Sequence, residues 1–91
     1  MAADGTQEWH INGLYHREDG PAIIYADGSQ FWYLNGKCHR EDGPAVMRTG
    51  GILVWYLNGT EYTFRDHCKE LKLTDEEIIL LKLKYNTCKD I

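Results

Sequence analysis

The sequence predicts a mainly β domain of the α+β class. It reads as a single-layer twisted antiparallel β-meander of 23-residue hairpin repeats, followed by two short C-terminal helices. Three observations carry this. Trp9, Trp32 and Trp55 are spaced by 23 residues and 23 again, and self-similarity at a fixed period marks a repeat architecture. All nine glycines lie at or before residue 59, which confines the tight turns to the first two-thirds of the chain. Beyond that point both Gly and Pro vanish and helix-start signals appear.

The repeat runs from Trp9 to Ala22, again from Trp32 to Ala45, and begins a third time at Trp55 to Gly59. His16 to Ala22 recurs without change as His39 to Ala45. Asn12-Gly13, Asn35-Gly36 and Asn58-Gly59 supply two adjacent residues that tolerate positive φ, as a type I′ hairpin turn requires. Asp27-Gly28 and Gly50-Gly51 mark a second set of turns, also 23 apart. Between the turns, Pro21 to Ala26, Ser29 to Leu34, Pro44 to Thr49 and Ile52 to Leu57 have strand length and strand composition. Asp19-Gly20-Pro21 and Asp42-Gly43-Pro44 look like a third turn. Three reversals per repeat would make successive repeats run in opposite directions, whereas two keep them translationally alike. The His-Arg-Glu-Asp-Gly-Pro segment is therefore expected to be a bulge or kink inside the second strand, where Gly fits and Pro removes a ladder donor.

Thr63, with Asp66 three residues on, predicts a short helix near Phe64 to Leu71. Thr74 with Glu77 forms a capping box for a helix from about Asp75 to about Asn86. Its acids open the helix and Lys82, Lys84 and Lys89 come later, matching the helix dipole. Ile78, Leu81 and Tyr85 share a stripe that Ile79 and Leu83 widen. That face needs a cover, and the sheet is the large surface at hand, so the helices are expected against it as a lid or end cap. The whole chain, 1–91, reads as one domain: a flexible N-terminus at 1–7, the repeat sheet at 8–64 and a helical cap at 65–91.

The 23-residue period, the Asn-Gly-Lys turn at Asn35 to Lys37 and the aromatic and Asp-Gly rhythm resemble the MORN repeat. The likeness covers roughly Glu8 to Phe64. Where the usual unit has His-Gly-x-Gly after the turn, this chain has His39 to Pro44. It looks like a divergent branch found in small bacterial and phage proteins. The resemblance implies hairpins stacked into a single-layer antiparallel sheet and an interaction scaffold. A phage-type origin would imply a small inhibitor of a host or defence protein, anti-CRISPR-like in its action.

Ten Lys/Arg stand against fourteen Asp/Glu, a net charge of −4. With no basic run, nothing in the charge pattern favours nucleic acid. No apolar stretch reaches the roughly 20 residues of a membrane span, and Met1 to Glu8 has no signal-peptide core. Cys38, Cys68 and Cys88 are odd in number and without framework spacing, which with the foregoing predicts a cytoplasmic chain with reduced thiols.

Four constellations bear on chemistry. His16 with Asp19, and His39 with Asp42, have the spacing of a general base and its orienter, but no nucleophile recurs beside them. A motif copied in each repeat points to turn capping and backbone bonding instead. Cys38-His39 and His67-Cys68 could supply four zinc ligands, yet adjacent side chains diverge on a strand and no Cys-x-x-Cys spacing exists. No Gly-rich phosphate loop precedes a helix, and no cofactor is expected. Phe31-Trp32-Tyr33 and Trp55-Tyr56 place large rings on both faces of their strands, too many for a bare single-layer face. The candidate binding residues are thus Trp9, Trp32, Tyr33, Trp55 and Tyr56, with Arg17, Arg40, His16 and His39 as polar company. The expected function is a non-catalytic protein-interaction module that occludes or scaffolds a protein partner. Core packing plus a homodimer interface is the plainer account of the same rings. A sequestering protein for a small molecule or nucleotide, with pockets between subunits, is an alternative, and a hydrolase using His16 or His39 is a more distant one. The period further predicts that the three Trp form a ladder on one face, with Tyr33 and Tyr56 on the other.

Overall fold

The structure is a computed structural model and describes residues 5–85 of the chain. Residues 1–4 of the expected N-terminal segment, the expected helix end at Asn86, and Cys88 and Lys89 lie outside the described residues. Ten short strands precede two helices. They are β1 Gln7–Glu8, β2 His10–Ile11, β3 Leu14–Tyr15, β4 Ile23–Ile24 and β5 Gln30–Phe31, then β6 Tyr33–Leu34, β7 Lys37–Cys38, β8 Val46–Arg48, β9 Ile52–Leu57 and β10 Thr60–Tyr62. The order β1-β4-β5-β8-β9-β10 makes one six-stranded antiparallel sheet, beside the hairpins β2-β3 and β6-β7.

The pairing explains why so many strands are only two residues long. β2 pairs with β3 around Asn12-Gly13, which have φ of 53° and 79°. β1, the first half of the same extended stretch, pairs with β4. Trp9 sits between the halves: its N–H donates to Ala22 O at 2.8 Å, and its carbonyl accepts from His16 N at 3.0 Å. Residues 16 and 22 therefore both face Trp9, and 17–21 loop out without reversing the chain. Trp32 repeats this with Ala45 O at 2.7 Å and His39 N at 3.0 Å, so 40–44 loop out in turn. The expected bulge is present. It is five residues wide, and it cuts each long strand in two. In the third repeat no such loop follows, and β9 runs unbroken through Trp55 against β10. The sheet begins at Gln7, one residue before the expected edge at Glu8, and Thr6 is already buried.

Successive repeats are hooked together. Asn35 N–H donates to His16 Nδ1 at 3.0 Å, Gly36 N–H to Tyr15 O at 2.9 Å, and Arg17 N–H to Tyr33 O at 3.1 Å. The same three bonds recur one repeat later, from Asn58 to His39 Nδ1, from Gly59 to Cys38 O and from Arg40 to Tyr56 O. The Asn35-Gly36 and Asn58-Gly59 turns are thus each held by the repeat before, which satisfies their backbone donors.

α1, Phe64–Glu70, starts at Thr63, whose hydroxyl accepts from Asp66 N–H at 3.1 Å. It closes with Leu73 N–H on Cys68 O and Lys72 N–H on Lys69 O, both at 3.1 Å, the paired bonds of a Schellman motif. α2, Asp75–Tyr85, opens with the expected capping box: Glu77 N–H donates to Thr74 Oγ1 at 3.2 Å, and Thr74 N–H to Glu77 Oε1 at 2.8 Å. Trp55, Phe64 and Cys68 form the buried cluster, and Leu73, Ile78, Leu81 and Tyr85 pack against it. The helices therefore cap the end of the sheet over Trp55. The expected stripe of Ile78, Leu81 and Tyr85 faces inward, but Ile79 and Leu83 do not widen it. They are exposed, because an end cap meets only one side of the helix.

Candidate functional site

The looped-out segments 17–21 and 40–44 owe their shape to one arginine each. Arg17 Nε donates to Asp19 Oδ1 at 3.1 Å and Nη1 to Pro21 O at 3.3 Å, while the guanidinium lies 4.0 Å from the Trp9 ring centroid. Arg40 repeats this with Asp42 at 2.8 Å, Pro44 O at 3.2 Å and Trp32 at 3.8 Å. A planar fork can bond a loop carbonyl and a carboxylate while stacking on an indole; an ammonium cannot. Glycine at 20 and 43 follows from that packing. A Cβ at Gly20 would meet Arg17 Cζ at 2.8 Å, and one at Gly43 would meet Arg40 Cζ at 2.8 Å and Tyr85 Oη at 2.7 Å. The second copy makes contacts the first lacks: Arg40 Nη2 also donates to Tyr85 Oη at 2.9 Å, tying the loop to α2, and Nη1 reaches Met47 Sδ at 3.8 Å.

The histidines complete each loop. His16 and His39 accept a turn N–H at Nδ1, so the proton sits on Nε2, which donates at 3.2 Å to Glu18 and Glu41. Burial pushes the Asp42 carboxyl up, but the hydrogen bond and charge of Arg40 outweigh it and hold the group below the usual carboxylate range. Where the third copy would place an arginine, the chain has Thr63. Phe64 at 4.9 Å, His67 at 5.0 Å and Tyr85 at 6.0 Å surround the Trp55 ring instead. His67 is fully buried, and its Nε2 donates to Arg40 O at 2.8 Å. Burial lowers its pKa below 6.5, against the opposing pull of that carbonyl.

Between the loops lies a groove of about 300 Å³. Trp32 and Leu34 form its floor. Arg17, Glu18 and Asp19 make one wall, and His39, Arg40, Glu41 and Asp42 the other. Both guanidinium groups are spent on their own loops, whereas the Glu18, Asp19, Glu41 and Asp42 side chains are 81, 87, 68 and 79% exposed. The groove thus shows an indole and a leucine beneath four outward carboxylates, a setting for a cationic group with an apolar stem.

Of the candidate residues, Trp32, Arg17, Arg40 and His39 meet in this groove. Trp9 lies under Arg17, and His16 faces the next turn. Trp55 is 2% exposed beneath the helices and is core. Tyr33 and Tyr56 are half-buried on the opposite side of their strands from Trp32 and Trp55, and burial raises both phenols. Sequence reasoning passed over Glu18, Glu41 and Leu34, and it set Asp19 and Asp42 beside His16 and His39, whereas the aspartates accept from Arg17 and Arg40 and the histidines pair with the glutamates. The signal was present: an acid pair copied in step with one arginine leaves each loop with more negative than positive charge. It also passed over Phe64 and His67 as cover for the third Trp, which the loss of arginine at position 63 implied.

Among the described residues, no three His, Cys, Asp or Glu side chains group so as to hold a metal ion, and no helix is long and apolar enough to cross a membrane. No protein-family model matches the chain, and no curated protein or solved structure matches it.

Proposed function

We propose that the chain is a non-catalytic protein-binding module whose recognition site is the groove between its two copied loops. The observation that carries this is the division of labour there: the arginines are consumed in holding the loops, and four carboxylates are left turned outward around Trp32 and Leu34. Such a groove suits a lysine or arginine from a partner, its stem on the indole and its charge among the acids. The histidines support a binding role over hydrolysis, since Nδ1 and Nε2 are both engaged and neither offers a free lone pair to a substrate. The hairpin repeat supports a kinship with MORN-like scaffolds. The test is affinity capture from native lysate with the wild type and an E18K/E41K variant. A protein enriched by the wild type and lost with the variant supports the proposal. Identical recoveries from the two baits, or none from either, refute it.

A further inference from the structure

The helical cap carries a second groove, which shares no lining residue with the groove between the loops. It encloses about 520 Å³ between α1 and α2. Arg65, Lys69, Lys72 and Lys82 line it. These are four of the chain's ten basic residues in a molecule of net charge −4, so the cations are gathered rather than spread. The five ion pairs among the described residues all lie elsewhere, between Glu8 and Asp42. Asp75 lines the groove but pairs with none of the four. Half-buried Leu73 and Ile78 supply its apolar surface, above the buried Phe64 and Cys68.

The backbone at Lys72 adds an independent observation. Lys72 has φ +56° and occupies the C′ position of the Schellman turn that ends α1. Glycine is the usual residue there because a Cβ is penalised in the left-handed region. The other left-handed non-glycine residues are Asn12, Asn35 and Asn58, the residue type that best tolerates it. Here a long cation stands where glycine would give the steadier fold, and it reaches into the groove.

We propose that this groove docks an acidic amphipathic segment of a partner protein. Its apolar side chains would rest on Leu73 and Ile78, and its carboxylates would meet Arg65, Lys69, Lys72 and Lys82. A protein segment fits better than a free lipid, because the groove is open along one side while small ligands are bound by burying most of their surface. Its site is separate from the loop groove, so each proposal stands or falls alone.

The probe is a fluorescein-labelled peptide of alternating leucine and glutamate turns, compared with its leucine and glutamine counterpart by fluorescence anisotropy. The acidic peptide binds, and its affinity falls as salt rises. The glutamine peptide binds at least about ten-fold more weakly, as does the acidic peptide with K69E/K72E. K72G is the decisive variant: its Tm rises while its affinity for the acidic peptide falls. The E18K/E41K variant binds the peptide as the wild type does. Equal binding of the two peptides overturns the proposal, as does K72G retaining full affinity. So does salt-sensitive self-association that K69E/K72E removes, which would make a second copy the occupant. Preference for phosphatidylglycerol vesicles over the peptide overturns it in favour of a lipid surface.

Discussion

The two loops are copies, but only the second is tied to the helical cap, through Tyr85 and His67, so the molecule carries its own control for what the cap contributes. Consider Arg17→Met and Arg40→Met, which keep an apolar stem and remove the guanidinium. Arg17 is 26% exposed, and its loss removes a stack on Trp9, a bond to Pro21 O and a bond to a solvated carboxylate. An exposed cation–π contact is worth about 0.5–1 kcal/mol and an exposed ion pair less. With the hydrogen bond, the cost is about 1–2 kcal/mol. Arg40 is 9% exposed, and its bond to Pro44 O is buried. Desolvation raises the stack toward about 2 kcal/mol, and the bond to Tyr85 Oη adds about 1 kcal/mol more. R40M should therefore cost about 3–4 kcal/mol. Urea unfolding followed by tryptophan fluorescence measures both. A double-mutant cycle isolates the helix link. Y85F with R40M should show a coupling of about 1 kcal/mol, and Y85F with R17M should be additive within about 0.5 kcal/mol. Equal losses for R17M and R40M, or no coupling to Tyr85, would refute the reasoning.

Three further outcomes follow from the same contacts. His67 is held neutral, so below pH about 6.5 the unfolded chain binds the proton that the fold excludes. Stability should be flat above about pH 6.5 and fall as the pH drops below it, a slope that H67Q removes because its amide still donates to Arg40 O. Gly43→Ala should cost about 1–2 kcal/mol and more than Gly20→Ala, since its Cβ meets Tyr85 Oη as well as the arginine; thermal melts of both variants decide this. Burial pushes the Cys38 thiol up to about 11. In a C88S protein, Cys38 should therefore react with iodoacetamide at pH 8 about ten-fold more slowly than a free cysteine, its thiolate scarcity partly offset by higher nucleophilicity. Mass spectrometry of the alkylated peptide gives the rate.

Period and turn chemistry made the hairpins legible. Asn-Gly at 12, 35 and 58 can occupy a narrow range of backbone, and all three Asn have φ near 50°. The direction argument likewise placed the bulge, because chain reversal is a question of parity. Its extent was legible to within a residue, His16 to Pro21 against the observed 17–21, but its cause was not. Five residues loop out because Arg17 and Arg40 must fold back over Trp9 and Trp32, a side-chain contact that no backbone period encodes. Helix starts were plain at Thr63 and Thr74, where a side chain bonds the backbone three residues on. How much of the sheet the helices would cover was not, since Ile78, Ile79, Leu81 and Leu83 read alike until a neighbour selects two of them. The groove between the loops lay in the copied acids, whose twin roles as arginine partner and outward charge separate only in three dimensions.

Repetition also sets a length scale. The strands leaving the two loops, β4 and β8, are two steps apart across the sheet, with β5 between them. At about 4.8 Å per step the equivalent carboxylates recur about every 10 Å. That is the rise of three residues along an extended chain or of seven along a helix. A partner that engages both loops at once must therefore carry its positive charges at that interval. A copy of residues 32–54 inserted ahead of the third repeat would add one more mark to the scale without disturbing the cap.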